Sequence, residues 1–272
     1  MTILLFGMFL FVKFYTPPLS KNNGKVDAQL FLGDSENQPL IVAFGGSQGG
    51  NTWTEAYWSE MRAKFLNQGY AVLSIGYFNT EGTPETLDRI SLNAIYDTIK
   101  SISNNPKINK EKIMLLGTSR GGELVLNLAS RYSDFDAVVA LVPAHMRFSG
   151  STANTPAWTF NGKELSYLPI PFWAVVASLS GKKRKAWEII LKNEKSTPEA
   201  EIEVEKISCP ILLLSAKDDD VWPSQYMCDK IVNRLNNNNY KYYHEHISFD
   251  GGHYVMNKHF DKVFEFVENH FQ

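Results

Sequence analysis

Ile113-Met114-Leu115-Leu116-Gly117-Thr118-Ser119-Arg120-Gly121-Gly122-Glu123 is the stretch on which the reading of this chain turns. The apolar run at 113–116 reads as a buried strand, and residues 124–131 read as helix. Strand, Gly-x-Ser-x-Gly, helix is the pattern that sets a serine on a sharp strand-to-helix turn. Small residues are needed on both sides because a Cβ there would clash. The turn pushes Ser119 Oγ out over the sheet edge. The helix N-terminus beneath it offers free N–H groups and a positive dipole end to a developing oxyanion. The competing reading is a glycine-rich turn with an idle serine.

The partners follow in the order this architecture requires, serine, then acid, then histidine. Pro210-Ile211-Leu212-Leu213-Leu214-Ser215 reads as a later strand, and Asp218-Asp219-Asp220 follows it. Residues 240–247 supply a further strand, after which come Gly251-Gly252-His253. His253 is the expected base for Ser119, with an aspartate fixing its tautomer. Trp222-Pro223 opens the next helix, with proline in its first turn. Counting back from that pair favours Asp219 as the acid, with Asp218 as the alternative and Asp220 as a cap residue. His244 and His246 lie within a strand-like run and read as surface or core residues. His145 follows the apolar strand 137–142 and reads as a wall of the substrate pocket.

An early strand, Leu40-Ile41-Val42-Ala43-Phe44, runs into Gly45-Gly46-Ser47-Gln48-Gly49-Gly50. Such a loop can bring backbone amides close to a ligand. The expected oxyanion donors are the N–H of Arg120 and one from Gly46 or Ser47. No Gly-Lys-Ser/Thr follows the loop, and Gly-x-Gly-x-x-Gly is absent, so neither nucleotide-binding pattern fits.

These stretches also carry a family resemblance. Phe44 to Gly50, the run Gly69 to Phe78 and Glu81-Gly82-Thr83-Pro84 resemble the catalytic domain of the acyl-CoA thioesterase and bile acid-CoA:amino acid N-acyltransferase family. So do Ser119 to Leu124, Ala157 to Lys163, Asp218 to Ser224 and Gly252-His253. The resemblance spans most of the chain from Pro39 onward. It implies an α/β-hydrolase fold, with Ser119 as nucleophile, Asp219 as acid and His253 as base. Transferase members of the family carry cysteine at the nucleophile position, so Ser119 implies transfer of the acyl group to water. Full-length animal members carry a β-sandwich domain ahead of the catalytic one, for which this chain has no room.

Composition fits one globular α/β unit. The chain has 272 residues, 44% of them hydrophobic, and Lys+Arg 27 against Asp+Glu 29 gives a net charge of -2. That balance points away from a nucleic-acid partner. Cys209 and Cys228 are the two cysteines and lack metal-ligand spacing, so no metal or other cofactor is expected. Residues 1–17 begin with an apolar run at 3–12, short of the ~20 residues that span a bilayer. A signal, a membrane anchor or a packed element would each suit it, and location is left open between the cytoplasm and a membrane surface.

Residues 18–272 read as the catalytic domain, alternating strand and helix, which implies a mostly parallel sheet covered on both faces. Helices are expected at 54–68, 86–102, 222–235 and 255–271. Residues 146–204 break the alternation and read as a lid rich in aromatics and proline. Phe148 and Trp158 in it are expected to contact substrate together with His145. Lys182-Lys183-Arg184-Lys185 within it reads first as a solvated helix face, with holding the phosphates of coenzyme A as the alternative. The expected activity is acyl-CoA thioester hydrolysis through an acyl-enzyme. A carboxylesterase acting on small or lipid esters and a non-catalytic binding module on the same fold are the alternatives.

Overall fold

The apolar runs pair as one seven-stranded sheet, in the order β1-β3-β2-β5-β6-β9-β10. Its strands are β1 (Asp27–Phe31), β2 (Gln38–Phe44), β3 (Ala71–Gly76), β5 (Ile108–Thr118), β6 (Ala137–Leu141), β9 (Ile211–Ala216) and β10 (His244–Phe249). β1 runs antiparallel to β3, and the other neighbours are parallel. A three-stranded sheet joins β4 (Ile90–Ser91), β7 (Trp158–Phe160) and β8 (Lys163–Glu164). This computed structural model describes Gly7 and residues 14–271. The apolar run at 3–12 lies, but for Gly7, outside the described residues.

Alternation along each central strand divides the core in two. Leu40, Val42 and Phe44 of β2 face one side, where α2 (Leu92–Ser103), α3 (Arg120–Ala129) and α6 (Ser224–Asn237) pack. Ile41 and Ala43 face the other, against α1 (Ser59–Asn67) and α7 (Asp261–His270). A third cluster lies outside the sheet. It joins α4 (Phe172–Leu179) and α5 (Lys183–Leu191) to Met146, Phe148, Trp222 and Met227.

Several helices start later than the periodicity suggests. The helix expected from residue 54 is two 3-10 turns, Thr52–Thr54 and Ala56–Trp58, before α1 begins. Trp53 and Trp58 stack at 4.3 Å across those turns, turning the aromatic stripe toward the sheet edge. The segment at 86–91 is not helical: residues 86–89 form bends, and Ile90 and Ser91 are a short strand that pairs with Trp158 and Thr159. Ser91 then caps α2, its side chain accepting from the N–H of Ala94. Among the described residues no helix is long and apolar enough to cross a membrane, and no group of three or more His, Cys, Asp or Glu could hold a metal ion.

Leu115 sits in the middle of β5 with no exposed surface. Leu115→Ala should destabilise the protein by about 2–5 kcal/mol, the transfer and cavity cost of an unrelaxed core site. Urea unfolding monitored by circular dichroism checks it.

Candidate active site

Between β5 and α3 the backbone turns so sharply that Ser119 takes a φ of 59°. That region is unfavourable for a residue with a side chain and is held only where the surroundings over-determine it. Gly117 and Gly121 supply the space. A Cβ on Gly117 would lie 2.1 Å from the Gly121 carbonyl oxygen, and one on Gly121 would lie 2.4 Å from that of Gly45. The N–H of Ser119 donates to the Leu141 carbonyl at 2.8 Å, which ties the turn to β6.

The glycine loop after β2 lies against this turn. A Cβ on Gly46 would come within 3.2 Å of the Ser119 Cβ. The Tyr77 hydroxyl, fully buried, donates to the Gly45 carbonyl at 2.9 Å and holds that peptide in place. Burial pushes the Tyr77 phenol well above its usual range, so it acts as a fixed donor. Arg120 is the first residue of α3, so its N–H has no acceptor within the helix.

At the ends of β9 and β10, Asp219 and His253 meet. His253 Nδ1 lies 2.9 Å from both Asp219 carboxylate oxygens. Asp219 has no exposed surface and His253 is 4% exposed. Asp219 Oδ1 also accepts from the N–H groups of Val221 at 2.9 Å and Trp222 at 3.1 Å. Asp220 has a different task. Its Oδ1 accepts from the His253 backbone N–H at 3.2 Å, which draws its carboxyl below the usual range. Asp218 instead donates its N–H to the Gly251 carbonyl. His246 sits on β10 beside Asp229 and Ser215, and His244 contacts Asn236, both away from Ser119.

Ser119 and His253 line one cavity of about 450 Å3. No hydrogen bond joins the two side chains among the described residues, and catalytic hydrogen bonds often tighten only around bound substrate. Gly46, Ser47, Gln48 and Thr118 form the polar side of the cavity, and Trp53, Tyr57, Trp58 and Tyr254 its aromatic side. Lys183 is the lysine or arginine that lines it. These aromatics were not anticipated as pocket residues. Tyr57 and Trp58 fall in the helical stripe expected over 54–68, and the signal that could have found the wall is position, Trp53, Tyr57 and Trp58 coming directly after the glycine loop and Tyr254 directly after His253.

The expected substrate contacts of His145, Phe148 and Trp158 are not seen, since none of them lines this cavity. His145 is buried beside Glu194, its Nε2 3.2 Å from the carboxylate. That contact, with Tyr226 and Lys230, draws the Glu194 carboxyl down to about 2. Phe148 packs on Trp187 and Trp222 in the third cluster. Trp158 donates its Nε1–H to Glu123 at 2.6 Å.

Glu123 accounts for where Trp158 and Phe148 go. Its side chain has no exposed surface and accepts from Arg120 Nη1 at 2.6 Å as well as from Trp158. Arg120 Nη2 continues to the Ser149 carbonyl at 2.9 Å. Burial pushes the Glu123 carboxyl above the usual range, against the pull of Arg120 and Trp158. The network fastens the helix beneath Ser119 to the segment that opens residues 146–204.

Residues 90–262 match the family described as BAAT / Acyl-CoA thioester hydrolase C terminal. The chain belongs to that family. Relatives similar to this BAAT / acyl-CoA thioester hydrolase domain include human acyl-coenzyme A thioesterase 1, 26% identical over 239 residues, with 82% of this chain and 51% of the relative covered. Mouse acyl-coenzyme A thioesterase 6 is 30% identical over 216 residues, covering 78% and 48%. The chain thus spans about half the length of the curated relatives it matches. Among solved structures, the acylaminoacyl peptidase of Pyrococcus horikoshii superposes with a TM-score of 0.61 at 15% identity, covering 90% of this chain and 39% of that one. An acetyl xylan esterase from Paenibacillus sp. R4 gives 0.60 at 15% identity, covering 90% and 79%. These likenesses show an α/β-hydrolase fold.

Removing Glu123 would strand a buried guanidinium. Glu123→Ala should cost about 3–5 kcal/mol, as for other broken buried pairs. Glu123→Gln, which can still accept from Trp158, should cost less. Urea midpoints at neutral pH decide it, and a loss below about 1 kcal/mol in the alanine variant would contradict the role given to the pair.

Proposed function

We propose that this chain is a serine hydrolase that cleaves acyl-CoA thioesters through an acyl-enzyme. The observation that carries the reading is the buried Asp219–His253 contact at 2.9 Å in the wall of the cavity that Ser119 also lines. In this reading Ser119 Oγ attacks the thioester carbonyl while His253 Nε2 takes the hydroxyl proton. The carbon–sulfur bond breaks, and the imidazolium returns that proton to the departing thiolate. Water then attacks the acyl-serine, His253 again taking and returning a proton. Asp219 orients the ring and stabilises the imidazolium without itself becoming protonated. The N–H of Arg120 and one from Gly46 or Ser47 hold the oxyanion.

The shape of the cavity supports an acyl substrate. Trp53, Tyr57, Trp58 and Tyr254 offer an apolar wall to the acyl chain. We place the phosphates of coenzyme A outside, beside Lys183. Of the basic run, Lys183 lines the cavity, while Arg184 and Lys185 are tied to Glu188. Residues 146–204 then serve less as a roof than as an arm that brings one cation to the rim. Support from similar proteins lies in the curated relatives named as acyl-coenzyme A thioesterases.

Ser119→Ala should lower kcat by on the order of 10⁶-fold, as in a serine protease triad, and abolish labelling by a serine-directed phosphonate. Asp219→Asn should lower it by about 10⁴-fold through the wrong imidazole tautomer. Steady-state kinetics on an acyl-CoA panel and its oxygen-ester counterparts measure both, and near-normal turnover in folded Ser119→Ala would sink the reading. Brisk ester hydrolysis with no thioester hydrolysis would make the chain a carboxylesterase instead.

Lys183→Ala should raise KM for acyl-CoA several-fold and leave an uncharged short ester unaffected, because that ester never used the contact. Added salt should weaken acyl-CoA turnover in the same selective way. Equal effects on the two substrates would assign Lys183 to stability rather than to the ligand.

A further inference from the structure

Arg184 sits next to Lys183 yet does not line the cavity of Ser119. Its guanidinium points the other way along α5. Nη1 donates to the Asp219 carbonyl at 3.0 Å and to the Lys217 carbonyl at 3.3 Å, and Nε donates to Glu188 at 3.3 Å. One nitrogen of this planar cation thus bridges two carbonyls of the loop that carries the Asp219 carboxylate while a second, Nε, is held by Glu188, and it is this two-nitrogen arrangement that an ammonium does not reproduce. Elsewhere the loop is held by its own amides and by β10. Val221 and Trp222 donate to Asp219 Oδ1, and Lys217 and Asp218 donate to Phe249 and Gly251. The carbonyls of Lys217 and Asp219 face outward, toward α5. Trp187 of the same helix packs edge-on against the Trp222 ring at 5.5 Å, and the Trp222 ring lies 6.0 Å from that of His253.

We propose that Arg184 is a positioning residue that fastens the α4–α5 arm to the Asp219 loop, so that the Asp219–His253 pair is aligned only while the arm is docked. The inference rests on the serine-hydrolase reading of the site. Arg184 is part-exposed, with 40% of its side chain accessible, so its charge is screened and its effect comes through hydrogen-bond geometry. Asp219 carries its alignment in the peptide planes on either side of it. Freeing its carbonyl lets that plane rotate, which loosens the amides of Val221 and Trp222 from Oδ1. Misplacement of a catalytic group by about 1 Å can cost on the order of 10²-fold in rate. Substrate contacts at the rim through Lys183 would in turn favour the docked arm.

The test compares Arg184→Gln, Arg184→Lys and the control Lys185→Gln in the full chain. It uses turnover of an uncharged short thioester, phosphonate labelling, and hydrogen exchange of the Val221 and Trp222 amides. Arg184→Gln should lower kcat about 10–100-fold with KM within about two-fold, and speed exchange at those two amides with the sheet amides unchanged. Arg184→Lys should fall between, and millimolar guanidinium should restore part of the Arg184→Gln loss. Lys185→Gln should behave as the parent protein. Normal kcat in Arg184→Gln, or unchanged exchange at Val221 and Trp222, overturns the proposal. So does faster exchange spread evenly over the whole chain, which would mark a general stabilising role. If Ser119→Ala keeps its activity, the hydrolase reading fails by itself. If Ser119 labels and Ser119→Ala is dead while Arg184→Gln is normal, only the clamp fails.

Discussion

A Cβ on Gly117 would meet the Gly121 carbonyl at 2.1 Å, and one on Gly121 would meet the Gly45 carbonyl at 2.4 Å. Three backbone segments therefore cross where no side chain fits: the end of β5, the first turn of α3 and the loop after β2. Everything chemical in the site depends on that crossing. It lifts Ser119 above the sheet, brings the Gly46 peptide alongside it, and aims the start of α3 at the space between them. A helix N-terminus and a glycine loop present their dipoles there without reorganising, which is how preorganised donors act. The crossing is in turn anchored from both sides, by the Ser119 N–H on Leu141 and by the Tyr77 hydroxyl on Gly45.

The buried polar groups divide into two networks with separate tasks. Glu123, Arg120 and Trp158 hold the helix that follows Ser119 to the segment after β6, deep in the protein. Asp219, His253 and Asp220 hold the loops after β9 and β10 to each other. In the second network each carboxylate has a distinct partner on the same histidine, Asp219 taking the ring and Asp220 the backbone N–H. Neighbouring acids in one loop thus avoid competing for one proton. Trp222 stands between this network and the third hydrophobic cluster, which is how the arm and the acid loop come to share a wall.

Much of this was legible in the residues. Continuous apolar runs gave away the parallel strands, since strands buried on both faces need no alternation. The spacing back from Trp222-Pro223 picked out the aspartate that contacts His253, because the loop's own amides at Val221 and Trp222 cap that carboxylate. Less legible was the direction in which side chains point. His145, Phe148 and Trp158 stand at the correct edge of the sheet, but Glu194, Trp187 and Glu123 draw them away from the cavity, and those partners are 35 to 49 positions distant, Glu123 lying within the serine motif itself. The aromatic wall was missed for a related reason. Tyr57 and Trp58 fall in the expected helical stripe, yet a tight pair of 3-10 turns replaces the first helical turns and re-aims the rings.

The positive φ of Ser119 carries a consequence beyond the chemistry. A φ of 59° with a ψ of -116° is territory that glycine occupies freely and serine does not. Keeping a side chain there costs on the order of 1–3 kcal/mol, drawn from the packing of the rest of the domain. The sequence that fits this backbone with least strain is therefore not the sequence that bears a hydroxyl over the cavity. Ser119→Gly would therefore relieve backbone strain in the folded state while removing the hydroxyl, so stability and the group over the cavity pull in opposite directions at this one position.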